Sequence, residues 1–174
     1  MFSLIFASTI LTIAALLTVF VGIFEIYSLY ALFKAAPFVP TAEERVADMI
    51  RLAELKSDDT FMDLGSGDGR IVKAAAPLVA HAIGIEINPI LYYLSRWRLR
   101  HIRNAEIRRE DLWKTGLSGV DVLAIYFINQ KMRQLATKIK QEMKPGARIV
   151  SHGFRFPDDW PCEQKNGTVY LYKL

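Results

Sequence analysis

The pattern of apolar and polar positions divides the chain into an unbroken apolar run and a longer stretch of short alternating periods. From Phe2 to Phe24 there is no charged residue, and only Ser3, Ser8, Thr9, Thr12 and Thr18 bring side-chain polarity. A helix rising about 1.5 Å per residue needs about 20 residues to cross a hydrocarbon core of about 30 Å. The run therefore predicts a membrane-spanning anchor over residues 1–33. A cleaved signal peptide fits less well, because no Lys or Arg precedes the run and its length exceeds the usual apolar core of such peptides. A buried core helix is the other rival.

Beyond the run, the periods change. Pro37 and Pro40 make residues 34–40 a stiff linker. Thr41-Ala-Glu-Glu44 has the form of a capping box, followed by Val46, Met49, Ile50 and Ala53 at helical spacing. Short apolar runs at 60–64, 82–88, 105–109, 120–127 and 148–151 predict strands, and helical spacing at 71–79, 89–102 and 129–144 fills the gaps between most of them. Asn88-Pro89 supplies an N-cap and a first-turn proline, with Leu91, Leu94, Leu99 and Ile102 as the buried face of the helix that follows. Asn166-Gly167, flanked by 162–165 and 168–172, predicts a terminal antiparallel hairpin. Strands alternating with helices imply a parallel α/β sheet, so residues 41–174 read as one domain closed by that hairpin.

Charge adds orientation. All 22 Lys and Arg residues lie from Lys34 onward, together with every acid except Glu25. Positive charge on one flank of a single span places that flank, and the domain after it, in the cytoplasm. The absence of arginine before the domain also argues against a mitochondrial transit peptide. Arg96, Arg100 and Arg103 fall on one helix face; the default is a solvated stripe, and attraction to anionic lipid or an acidic partner is the sharper alternative. Nucleic acid is the weaker expectation, since the charge excess is modest and the chain is tethered. The lone Cys162 excludes an internal disulfide, and the scattered His81, His101 and His152 with no Cys/His cluster suggest no metal site.

Chemistry concentrates where the first strand ends. Gly65, Gly67 and Gly69 alternate through the turn between strand and helix, with Asp63 two residues before the first of them. Such a loop reaches positive φ and lets a ligand approach the backbone. Its G-x-G-x-G spacing departs from the G-x-G-x-x-G dinucleotide fingerprint. Glu86 closes the next strand, 21 residues after Gly65, where a carboxylate accepts the hydroxyls of an adenosyl ribose. At the third strand's end, Asp111 is placed either to accept an adenine amino group, with Leu112 packed on the ring, or to cap the next turn.

The loop resembles the one by which class I methyltransferases hold S-adenosylmethionine (AdoMet), which assigns Asp63, Gly65, Ser66, Gly67, Gly69, Glu86, Asp111 and Leu112 to that cofactor. Pro37-Phe-Val-Pro40, the loop from Asp63 to Arg70, Gly84-Ile-Glu-Ile-Asn88, Asp111-Leu-Trp-Lys114 and Arg155-Phe-Pro157, in this order, are similar to the membrane-anchored protein-lysine methyltransferases that modify the adenine nucleotide translocase and the ATP synthase c subunit. The resemblance implies a compact, Rossmann-like seven-stranded sheet and methyl transfer to a lysine ε-amine of a protein in or at a membrane. A lysine must lose its proton before it attacks, which burial in an apolar slot favours. Pro37, Phe38, Val39, Pro40, Trp113, Tyr126 and Phe127 are the candidates for that slot, with Asn129 or a backbone carbonyl accepting from the amine. Tyr126-Phe-Ile-Asn129 departs from the Asn/Asp-Pro-Pro-Tyr of adenine and glutamine methyltransferases, which disfavours those substrates. A lipid headgroup or lipophilic small molecule is the alternative acceptor.

Overall fold

The computed structural model describes residues 2–34, 38–157 and 159–174. The first element, α1 (Phe2–Lys34), is one continuous helix. Within it Phe6–Ile26 is long and apolar enough to cross a membrane, and none of that segment is buried. The Thr12 and Thr18 hydroxyls each donate to the carbonyl four residues back, at 2.9 Å, so these polar groups need no outside partner.

The domain runs α2 (Glu43–Leu52), β1 (Thr60–Leu64), α3 (Arg70–Ala75) continued by a 3-10 turn at Ala76–Leu78, β2 (His81–Ile85), α4 (Pro89–Leu99), β3 (Ala105–Arg108), β4 (Val122–Tyr126), a 3-10 turn at Asn129–Lys131, α5 (Met132–Glu142), β5 (Arg148–His152), β6 (Gln164–Asn166) and β7 (Val169–Lys173). These form one seven-stranded sheet in the order β3-β2-β1-β4-β5-β7-β6. The pairs from β3 across to β5 are parallel, and β7 is antiparallel to both its neighbours. The expected sheet with its terminal hairpin is therefore the observed one.

Each face of the sheet has its own core. Phe61, Val72, Ala75, Val122 and Val150 pack with α2 and α3 on one side, while Met62, Leu123, Ile125, Leu135 and Ile139 pack with α5 on the other. Consecutive strand residues thus feed opposite cores, which is why the central strands read as continuous apolar runs. A buried ion pair crosses this plan: Arg148 Nη2 donates to both Asp59 oxygens at 2.6 Å, and its Nη1 donates to the carbonyls of Ala53 and Glu54. It ties the end of α2 to the approach of β1 and the start of β5.

Four local expectations are corrected. The capping box does not form: α2 starts one residue later than the box requires, with Ala42 as its N-cap and no side-chain cap bond, and the Thr41 carbonyl accepts from Arg70 Nη1 at 2.7 Å. The hairpin turns one residue later than Asn166-Gly167, since Asn166 pairs with Val169 and leaves Gly167-Thr168 as the loop. Gly167, at φ +58°, takes the first central position, and the Asn166 amide is drawn to Asp48 of α2 at 2.8 Å. On α4, Leu94 is exposed and the fully buried position is Ser95, packed under Gly69. Arg103 lies beyond the end of α4 and so does not continue a helical stripe.

Candidate active site

In the order β3-β2-β1-β4-β5, the chain leaves β1 to one side and returns on the other at β4. Ligands of such sheets bind outside the carboxyl ends of the strands at this switch point. A cleft open to solvent lies there, bounded by the ends of β1, β2, β3 and β4 and by residues 38–41.

The glycine loop forms its floor. Gly65 has φ +82°, and a Cβ placed on it would meet nothing within 4 Å, so the backbone opens directly onto free space. Gly67 has φ +54°, and a Cβ there would come within 2.6 Å of the Phe38 ring, which lies across the loop. Gly69 does not line the cleft; it precedes α3 and packs against Ser95. Gly84 of β2 makes room for the loop, because a Cβ there would strike the Ile107 side chain and stand 2.7 Å from Ser66 Oγ.

Asp63 is 2% exposed, flanked in register by Gly84 and Ala124 on the neighbouring strands. Burial, then the nearby charges of Glu86 and Asp68, push its carboxyl up to about 8. Glu86 is also raised by burial, against hydrogen bonds that favour its charged form. Its Oε2 accepts from Gly67 N at 2.8 Å and its Oε1 from Asn88 N at 2.7 Å, so it staples the glycine loop to the end of β2. Each oxygen keeps a further lone pair for a ligand hydroxyl. Burial also pushes the Asp68 carboxyl up, but hydrogen bonds from Arg70 and Arg98 overcome it and hold the group below its usual range. These arginines stand 2.7 and 2.6 Å from Asp68.

Asp63 Oδ2, Ser66 Oγ and Asn88 Nδ2 are buried, line this cleft and have no hydrogen-bond partner. Unsatisfied buried polar atoms cost about 1–3 kcal/mol each, so the cleft is built for a ligand that answers them. AdoMet fits: its ammonium complements Asp63 and its ribose hydroxyls complement Glu86. Asn88 was legible only as an N-cap, and its Oδ1 does accept from Ile90 N and Leu91 N at 2.9 and 3.3 Å. Its placement just after an acid at a strand end was the signal for a second role.

After β3, Glu110, Asp111 and Leu112 line the cleft. Asp111 Oδ1 also accepts from Trp113 N at 3.0 Å, so it shapes the turn as well. Among the slot candidates, Phe38, Val39, Pro40, Tyr126 and Phe127 line the cleft, and Pro37 lies outside the described residues. Trp113 and Asn129 do not line it. The Trp113 ring is turned edge-on to Phe127, 5.8 Å between centroids, and Asn129 is exposed at the start of its 3-10 turn. Tyr126 is held from behind by His152 at 4.5 Å and Phe154 at 6.4 Å. Burial and then Arg45 lower the His152 pKa, so its imidazole is neutral at pH 7, behind Tyr126 rather than at the cleft surface.

A family model described as the ANTKMT methyltransferase domain matches residues 63–164. The chain is 35% identical over 145 residues to the mouse lysine N-methyltransferase of the ATP synthase c subunit, an alignment covering 79% of this chain and 58% of that one. It is 34% identical over 150 residues to a protein-lysine N-methyltransferase of Saccharolobus islandicus, covering 79% of this chain and 93% of the relative. Among solved structures, an RNA methyltransferase from Salinibacter ruber in complex with S-adenosyl-L-homocysteine superposes with a TM-score of 0.73 at 31% identity, covering 78% of this chain and 93% of that one.

Proposed function

The chain belongs to the family of the ANTKMT methyltransferase domain, and from that premise we propose that it transfers a methyl group from AdoMet to a lysine ε-amine of a protein in or beside a membrane, with α1 as the anchor. The observation that carries the reading is the make-up of the cleft, where buried, unanswered polar groups at the strand ends share one space with the apolar residues Phe38, Val39, Pro40 and Phe127. Bound AdoMet supplies a methyl carbon on a sulfonium sulfur.

Asp63 and Glu86 hold the ligand's ammonium and ribose, which fixes where the methyl points. Catalysis then consists mainly of aligning the amine with the methyl–sulfur bond and keeping water out. The apolar residues disfavour an ammonium and so favour the neutral amine. In-line attack forms the N–C bond as the C–S bond breaks, leaving a neutral thioether; the new alkylammonium gives its proton to solvent. The exposed apolar surface of α1 supports the anchor, because a bare face of this size is stable only when covered. The chain spans 58% of the length of the mouse relative, and the acceptor class, a lysine of a membrane protein, is part of this proposal.

The test is to incubate the full chain, reconstituted in its membranes, with methyl-tritiated AdoMet and to sort label into protein, lipid and RNA. Label in methyl-lysine of membrane protein is the expected result. Label in lipid supports the alternative acceptor, and label in RNA supports an acceptor like the one for which the Salinibacter enzyme is named; either result overturns the proposal.

A further inference from the structure

α4 turns toward solvent a face for which the domain supplies no cover. Tyr93 and Trp97 are each 63% exposed and Leu94 is 41% exposed. Arg96 and Arg100 are exposed on the same helix, which contains no acidic residue. Steps of four and three residues put Tyr93, Trp97 and Arg100 on one side. The Arg100 guanidinium lies 4.4 Å over the Trp97 ring, and Arg96 lies 5.5 Å over Tyr92. Exposed aromatic rings interleaved with arginines, apolar in the ring and stem and cationic at the tip, match the water–lipid boundary of a bilayer.

We propose that this face of α4 docks on an anionic bilayer surface. Charge complementarity selects that occupant. A second copy meeting the patch through a two-fold axis would set its arginines against themselves. The segment between α1 (Phe2–Lys34) and α2 (Glu43–Leu52) is eight residues, a reach of at most about 28 Å, and the part of α1 beyond Ile26 adds about 12 Å, so a domain anchored by α1 stays within about 40 Å of the end of the span. Asn88, which lines the cleft, caps α4, and Tyr93 and Trp97 follow about 8 and 14 Å along the helix axis. Docking therefore holds the cleft close to the headgroups, where a lysine at the edge of an integral protein would lie. The inference rests on the anchor reading only for bringing the domain to the bilayer; the docking face itself is read from α4.

The experiment uses the full chain in phosphatidylcholine vesicles with brominated acyl chains, with and without phosphatidylglycerol. Of the three tryptophans, Trp160 is buried and Trp113 half-buried, so the difference between wild type and Trp97→Phe isolates Trp97. Quenching of Trp97 in the anionic vesicles is expected. Arg96→Gln with Arg100→Gln should lower the docked-to-undocked ratio roughly 25-fold, about fivefold for each arginine. Quenching is read before an alkaline wash, and retention through the wash reports α1 separately. Retained chain with unquenched Trp97 overturns the docking while leaving the anchor intact, and lost chain with quenched Trp97 does the reverse. Unquenched Trp97 with concentration-dependent sedimentation names a second copy as the occupant and also overturns it.

Discussion

At the ends of β1, β2 and β3 and just beyond them the cleft carries Asp63, Glu86, Glu110 and Asp111, whereas residues 38–40 and the end of β4 bring Phe38, Val39, Pro40, Tyr126 and Phe127. Two of these acids are tied into the backbone: Glu86 accepts from two N–H groups and Asp111 from a third. The second group is held by packing, Tyr126 on His152 and Phe154, Phe127 on Trp113, Phe38 on Gly67. Acids fixed by hydrogen bonds cannot shift to suit different ligands, which suits recognition of one invariant cofactor. Aromatic rings held by contact alone adjust more readily, which suits an acceptor that arrives as part of another macromolecule.

Substitutions can separate the two groups. The largest effect is expected from Glu86→Ala, which takes away both acceptors proposed for the ribose hydroxyls, at about 1.5–3 kcal/mol for each bond, and also frees the Gly67 N–H. Calorimetry should show AdoMet affinity falling at least 100-fold; an unchanged affinity would remove Glu86 from the site.

Asp63 has the next largest effect, and it depends on pH. Its folded value of about 8 lies above the ordinary 3.8, so between these the folded protein holds a proton that the unfolded chain has released. Stability of the free protein therefore declines as pH rises from about 4 to 8. Asp63→Asn does not ionise and should flatten that part of a melting-temperature profile. An ammonium held on Asp63 selects the ionised form, so wild-type affinity should rise by up to tenfold per unit from pH 6 towards 8, and fall again once the ligand's own α-amino group, which titrates at about pH 8, loses its proton. A flat wild-type titration would mean that Asp63 does not meet the ammonium.

Tyr126→Ala tests the apolar group and is the smallest of the three. Its ring lies at the end of β4, packed on His152 and Phe154, whereas the glycine loop is held by Glu86. Methyl transfer should fall about tenfold while AdoMet affinity changes less than threefold; equal losses in both would merge the two groups into one. Phe38 cannot serve here, because its ring lies on Gly67 and its removal would disturb the cofactor loop too.

The sequence by itself determined the strands, the helices, the glycine loop and the acids at the strand ends, because each depends on residues a few positions apart: apolar period, glycine at positive φ, an N-cap beside a proline. It also singled out the Phe38 segment and the end of β4, which line the cleft, through resemblance rather than spacing. Tertiary structure alone decided the rest. The hairpin turns at Gly167-Thr168 with the Asn166 amide on Asp48, and α2 starts from Ala42 with the Thr41 carbonyl accepting from Arg70. Arg148 found Asp59 across 89 residues, and Ser95 took the buried position that Leu94 was expected to hold. Asp63 owes its altered ionisation to burial between β2 and β4 and to a Glu86 that is distant in sequence. Local patterns fix what a segment becomes; contacts between distant segments fix which atoms meet, and both charge state and register depend on those contacts.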